Sequence, residues 1–180
     1  MNNSLYENKF ISFLKRYNLY DETIYNYLIN NAIMVDIKEY IDFIGCFFVK
    51  NEYDCITKVT LCIPFLEDDI TTLITIHEYV HGYTMFKKIG KKYQLKASEE
   101  VLPMLYEELY FLENQSPKLL NHRKNTLSYI KGVAPFKYKL GYAMQKELLL
   151  VNNKDITHLN SLVPYMCKKY IYSLKHGFKL

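Results

Sequence analysis

The sequence predicts one mainly helical α+β domain spanning residues 1–180. Three observations point there. Apolar residues recur at helical spacing over most of the chain. One stretch from Gly45 to Pro64 changes to strand-like alternation, and capping or breaking residues bound the long periodic segments. A chain of 180 residues can bury one real hydrophobic core but is short for two ordinary domains.

The elements follow in order. Leu5, Phe10, Phe13, Leu14 and Tyr17 are spaced as on a helix, as are Ile24, Tyr27 and Leu28, and then Ile37, Tyr40, Ile41 and Ile44; the first 44 residues therefore read as packing helices. Cys46–Lys50 and Cys55–Ile63, separated by polar Asn51-Glu52-Tyr53-Asp54, read as a short antiparallel β-hairpin. In its second arm Val59, Leu61 and Ile63 alternate with Lys58, Thr60 and Cys62, which predicts one buried face, and Pro64 ends the ladder. Glu67-Asp68-Asp69 can cap a helix whose Ile70, Leu73, Ile74, His77, Val80, His81 and Thr84 share one broad face. Lys87 and Lys88 suit its C-terminal dipole, and Gly90 its C-cap. A helix capped by Ser98 runs to about Asn114, with Pro103 implying a kink or a late start. Ser116-Pro117 opens a helix that closes at Gly132, and Pro135 opens another to about Asn152. Separate helical segments follow Asp155 and Pro164, completing a C-terminal helical bundle.

Composition excludes several functions. A net charge of +4 is spread without a basic block, so neither a nucleic acid nor a membrane surface is expected as a partner. No apolar run reaches the length of a membrane span, and the polar start Met1-Asn2-Asn3-Ser4 lacks the pattern of a signal peptide, so a cytoplasmic protein is expected. Cys46, Cys55, Cys62 and Cys167 include no Cys-x-x-Cys pair and read as free thiols, mostly packed. There is no Gly-x-Ser-x-Gly and no Gly-rich phosphate loop. His122, His158 and His176 read as surface or packing residues.

His77-Glu78-Tyr79-Val80-His81 is an HExxH motif in the middle of the best-defined helix. At i and i+4 the imidazoles of His77 and His81 point the same way and can share one Zn²⁺, while Glu78, about 100° round the helix, can act on water as a general base. A catalytic zinc needs a third protein ligand and an open position. Zinc peptidases of the gluzincin class take that ligand from a Glu on the next helix, where Glu99 and Glu100 lie. Glu107 is seven positions beyond Glu100 and on the same face, which makes Glu100 the ligand candidate and Glu107 an acceptor for a ligand histidine's N–H. Glu99 reads as a solvated first-turn acid.

The stretches HEYVHG, Glu100 to Glu107 (EVLPMLYE) and Pro135 to Ala143 (PFKYKLGYA) resemble the oligopeptidase family of gluzincins, relatives of thimet oligopeptidase and oligoendopeptidase F. The resemblance covers roughly residues 55 to 150 and implies a zincin-like core binding one Zn²⁺ per chain. It further implies that Tyr138, in Tyr-Lys-Leu-Gly, or Tyr142 one turn later, supplies a hydroxyl to the oxyanion. The chain departs from the family pattern in having Val80 where Gly is usual, a shorter interval to Glu100, and no His between Lys131 and Lys137. It is also several times shorter than family members.

The function expected is a zinc-dependent peptidase acting on peptides or flexible protein segments, with the strand of Val59, Leu61 and Ile63 binding substrate by strand addition. Two alternatives stand beside it. One is an inactive peptidase-like module that binds metal or a partner; the other is a regulatory protease with one dedicated protein substrate.

Overall fold

A computed structural model describes residues 5–36, 45–52, 55–92 and 96–175. The fold is α+β and mainly helical, with a three-stranded sheet beside a set of helices. α1 (Leu5–Arg16) buries Phe10, Phe13 and Leu14, and α2 (Glu22–Asn30) buries Ile24 and Leu28, as their spacing predicts. Asp21 starts α2 by accepting the Ile24 N–H at 3.0 Å. The third expected helix, around Ile37 to Ile44, lies outside the described residues.

A strand the sequence pattern did not predict, β1 (Ile33–Val35), follows α2. It pairs in parallel with the end of β3 (Cys55–Pro64), which pairs antiparallel with β2 (Cys46–Glu52), giving the order β1-β3-β2. The hairpin is therefore as expected, with a register shift between Lys50 and Asn51. Phe47 and Val49 stand opposite Leu61 and Val59 on the inward face.

The hairpin's second arm needs a correction. β3 is the middle strand, and Val59, Leu61 and Ile63 are buried in the core. β2 pairs along one flank of β3 and β1 along Cys62–Pro64 of the other, so Ile63 lies between two strands and the side chains of all three residues face the core. Among the described residues, the long edge with no pairing strand belongs to β2.

α3 (Asp69–Phe86) is the central helix. Asp68 accepts the Ile70 and Thr71 N–H groups at 3.0 and 2.9 Å, while the Thr71 hydroxyl accepts the Asp68 N–H, forming a capping box. Its expected single buried face is instead a nearly complete jacket. The sheet, α1, α2 and α4 (Val101–Asn114) all pack on it, so Thr72, Thr75, Tyr79 and Val80 are buried together. α3 ends at Phe86 with Lys87 as its cap; Gly90 lies in the turn beyond and donates its N–H to Ile56 O at 2.8 Å.

A 3₁₀ turn, Ala97–Glu100, precedes α4 in place of a helix capped by Ser98, and Pro103 falls in the first turn of α4, where a missing N–H costs nothing. α5 (Pro117–Lys131), capped by Ser116 and closed at Gly132, matches its expected bounds. α6 (Phe136–Leu149) and α7 (Ile156–Lys175) complete a bundle with α4 and α5. α7 is one helix that runs through Pro164, where two segments were expected. Among the described residues, no helix is long and apolar enough to cross a membrane. All four cysteines are free thiols, with Cys62 and Cys167 buried and Cys46 and Cys55 half-buried.

Candidate metal centre

Three elements converge on one point. α3 brings His77, Glu78 and His81, the end of the 3₁₀ turn brings Glu100, and α4 brings Glu107. Glu78, His81 and Glu100 are 4%, 2% and 3% exposed, so the carboxylates and the imidazole are held out of water and need partners within the protein or an ion.

His77 Nε2 and His81 Nε2 each lie 3.3 Å from Glu100 Oε2. That distance is long for a charged hydrogen bond but matches the edge, about 3.3–3.4 Å, of a tetrahedron whose corners lie about 2.0–2.1 Å from a zinc at its centre. All three ligand atoms lie within 4.8 Å of one another, so they can hold a metal ion. Two imidazole nitrogens and one carboxylate oxygen form a donor set suited to zinc, and three protein ligands leave a fourth position open.

The surrounding groups aim these candidate ligands. His77 Nδ1 lies 3.0 Å from Glu107 Oε2, so in a metal-binding, neutral imidazole the proton would sit on Nδ1 and the lone pair on Nε2. The Phe47 ring of β2 stacks on His81 with centroids 4.5 Å apart and planes 23° apart, which fixes the second imidazole. Burial opposes charge on His77, but its hydrogen bonds to Glu100 and Glu107 outweigh this and push its pKa up to about 10. For His81 burial prevails over the Glu100 hydrogen bond, and its pKa falls to about 4. Burial would raise the Glu100 pKa, yet hydrogen bonds with the two histidines hold it well below the usual carboxylate range.

Glu78 stands apart from the three candidate ligands. Burial pushes its carboxyl up to about 7, opposed by His77 and Lys137 and assisted by Glu100 and Glu107. Its Oε2 is buried with no hydrogen-bond partner among the described residues, as is His81 Nδ1. Gly45, in the left-handed region at φ +83°, lies directly against the Glu78 stem.

The expected residues divide as follows. His77, His81, Glu100 and Glu107 are brought together, and Glu78 adjoins them. Glu99 turns toward Lys88, with its Oε1 3.8 Å from Nζ. Tyr138 on α6 is half-buried near Glu100, Lys137 and Glu78, and burial followed by Glu100 raises the pKa of its hydroxyl. Tyr142 shares with Tyr138 an apolar cluster of Met104, Ile130 and Ala134, and lines a cavity with Glu107 and Leu73. Val59, Leu61 and Ile63 lie in the core.

Sequence reasoning missed three contributors: Gly45, Phe47 and Lys137, whose Nζ donates to Glu100 Oε1 at 2.6 Å. Only Gly45, at the change from helical to alternating spacing, left a signal in the sequence. Compared with protein-family models, curated proteins and solved structures, the chain matches none.

Proposed function

We propose that the chain is a zinc-dependent peptidase of the gluzincin type, a minimal zincin-like domain that hydrolyses peptide bonds in peptides or flexible protein segments. Its free thiols suit a reducing compartment such as the cytoplasm. The observation that carries this reading is Glu78, a buried carboxylate beside the His77, His81 and Glu100 ligand atoms that is not one of them. A site that held metal only for stability would be closed by a fourth ligand and would have no use for a second buried acid with an unpartnered oxygen.

When bound, zinc supplies a Lewis acid to the scissile carbonyl and makes water easier to deprotonate near neutral pH. Glu78 takes the proton of the attacking water on its carboxylate and returns it to the leaving amine. Glu107 keeps the His77 ring oriented through Nδ1. Tyr138 donates its hydroxyl to the developing oxyanion, and its place beside Glu100 and Glu78 favours it over Tyr142 for that role. Substrate backbone pairs with the edge of β2 that has no pairing strand among the described residues, where Phe47 already abuts His81.

The test is cleavage of a mixed peptide library by wild type and Glu78→Gln, both confirmed to be zinc-loaded. Glu78→Gln is expected to keep zinc and stability and to lose about 10²-fold to 10⁴-fold in hydrolysis. Equal cleavage by both would remove Glu78 as the base. Zinc binding with no cleavage by either protein would favour a metal-stabilised binding module.

A further inference from the structure

Glu100 divides its two oxygens between different partners. Oε2 faces His77 and His81 at 3.3 Å, whereas Oε1 accepts a hydrogen bond from Lys137 Nζ at 2.6 Å. The Glu100 side chain is almost completely buried, so the direction of each oxygen is fixed by what meets it. Lys137 is only partly exposed and is itself held, since its ammonium lies 4.7 Å from the centre of the Tyr138 ring. α6 can come this close because Gly141, one turn beyond Lys137 and on the same face, has no side chain. A Cβ there would lie 3.1 Å from Glu100 O and 2.5 Å from Met104 Sδ.

We propose that Lys137 is a positioning residue for the metal site. It ties down Glu100 Oε1, so that the carboxylate offers a divalent ion Oε2 alone and the fourth coordination position stays open for water and substrate. The ammonium also has an electrostatic cost. It places a positive charge one carboxylate away from the ion, so it weakens metal binding while preserving an open site. A lysine whose only task was to brace α6 against Glu100 would have the opposite effect on affinity, because removing it would loosen a ligand.

This inference rests on the metal reading of the site, and its test separates the two. Zinc affinity is measured by competition with a chromophoric chelator for wild type, Lys137→Met, Lys137→Gln and Lys137→Arg. The visible spectrum of each protein is then recorded with Co²⁺ in place of zinc. Lys137→Met is expected to bind zinc about tenfold more tightly, as removal of a nearby like charge requires. Its cobalt absorption should weaken as the freed Oε1 raises the coordination number, and zinc-supported hydrolysis should fall. Lys137→Arg, which keeps charge and donor, should restore the wild-type affinity and spectrum. Lys137→Gln, which keeps a donor without charge, should bind zinc more tightly yet retain more of the wild-type spectrum than Lys137→Met. Weaker zinc binding in Lys137→Met, or a spectrum identical to wild type in Lys137→Met, would overturn the role of Lys137. Absence of zinc binding in folded wild type would instead overturn the metal reading. Should Lys137→Met fail to fold, the Gln and Arg variants carry the comparison alone.

Discussion

Replacing Gly45 with alanine should damage the protein in a way that replacing Gly90 does not. Both glycines adopt left-handed backbone, at φ +83° and +79°, so each alanine incurs about 1–2 kcal/mol for the conformation alone. At Gly90 nothing lies within 4 Å of the new Cβ. At Gly45 the Cβ would lie 2.7 Å from Glu78 Cγ, 3.0 Å from Ile74 Cγ2 and 3.1 Å from Glu78 Oε1, against a comfortable carbon contact of about 3.5–4.0 Å. Glu78 is buried and cannot swing away freely, so overpacking should add about 1–3 kcal/mol at Gly45. Urea unfolding of both variants should therefore show a larger loss for Gly45→Ala. Glu78→Ala removes the clashing Cγ, and in that background the cost of Gly45→Ala should shrink by at least about 1 kcal/mol. Gly45→Ala should also retain zinc and lose hydrolysis, because in the proposed mechanism the displaced group is the base and not a ligand. Equal destabilisation by the two alanines, with no coupling to Glu78, would refute the contact and the positioning of Glu78 drawn from it.

Other variants address the ligands and the hydroxyl. His77→Ala, His81→Ala and Glu100→Ala should each lose zinc by metal analysis, whereas Glu99→Ala should retain it because Glu99 faces Lys88. Glu107→Ala should bind zinc about 10–100-fold more weakly in a chelator competition, because His77 Nδ1 loses the acceptor that orients the ring. Tyr138→Phe should leave folding and zinc content unchanged while kcat falls about 10²-fold or more; a kcat within a factor of about two of wild type would remove Tyr138 from the mechanism.

The parts of the fold that could be read in the sequence are those specified locally. Glu67-Asp68-Asp69 announces the start of α3, Ser116-Pro117 and Gly132 bracket α5, and alternation from Val59 to Ile63 marks a strand. HExxH likewise places two imidazoles on one face whatever the rest of the chain does. The elements that escaped depend on distant partners. β1 is three residues long, and its exposed Ile33 and Met34 show no alternation of burial; it is a strand because β3 offers an edge. Pro164 would ordinarily end a helix, yet Ile156, Leu159, Val163, Cys167 and Tyr170 keep one buried stripe on both sides of it and hold α7 together. The alternation of Val59, Leu61 and Ile63 marked a buried face, but alternation says nothing about neighbouring strands, so the central place of β3 was not legible. Phe47 and Lys137 reach the site from 34 residues before His81 and 37 residues after Glu100, intervals that no local spacing encodes.

The most direct measurement is zinc titration of the folded, metal-stripped chain, followed by X-ray absorption at the zinc edge. It is expected to give one tightly bound zinc per chain, with two imidazole nitrogens and oxygen completing the shell at about 2.0–2.1 Å. Peptide hydrolysis should disappear on stripping and return in proportion to the zinc restored. Failure of the folded chain to bind zinc, or a shell containing cysteine sulfur at about 2.3 Å, would contradict a centre built from His77, His81 and Glu100.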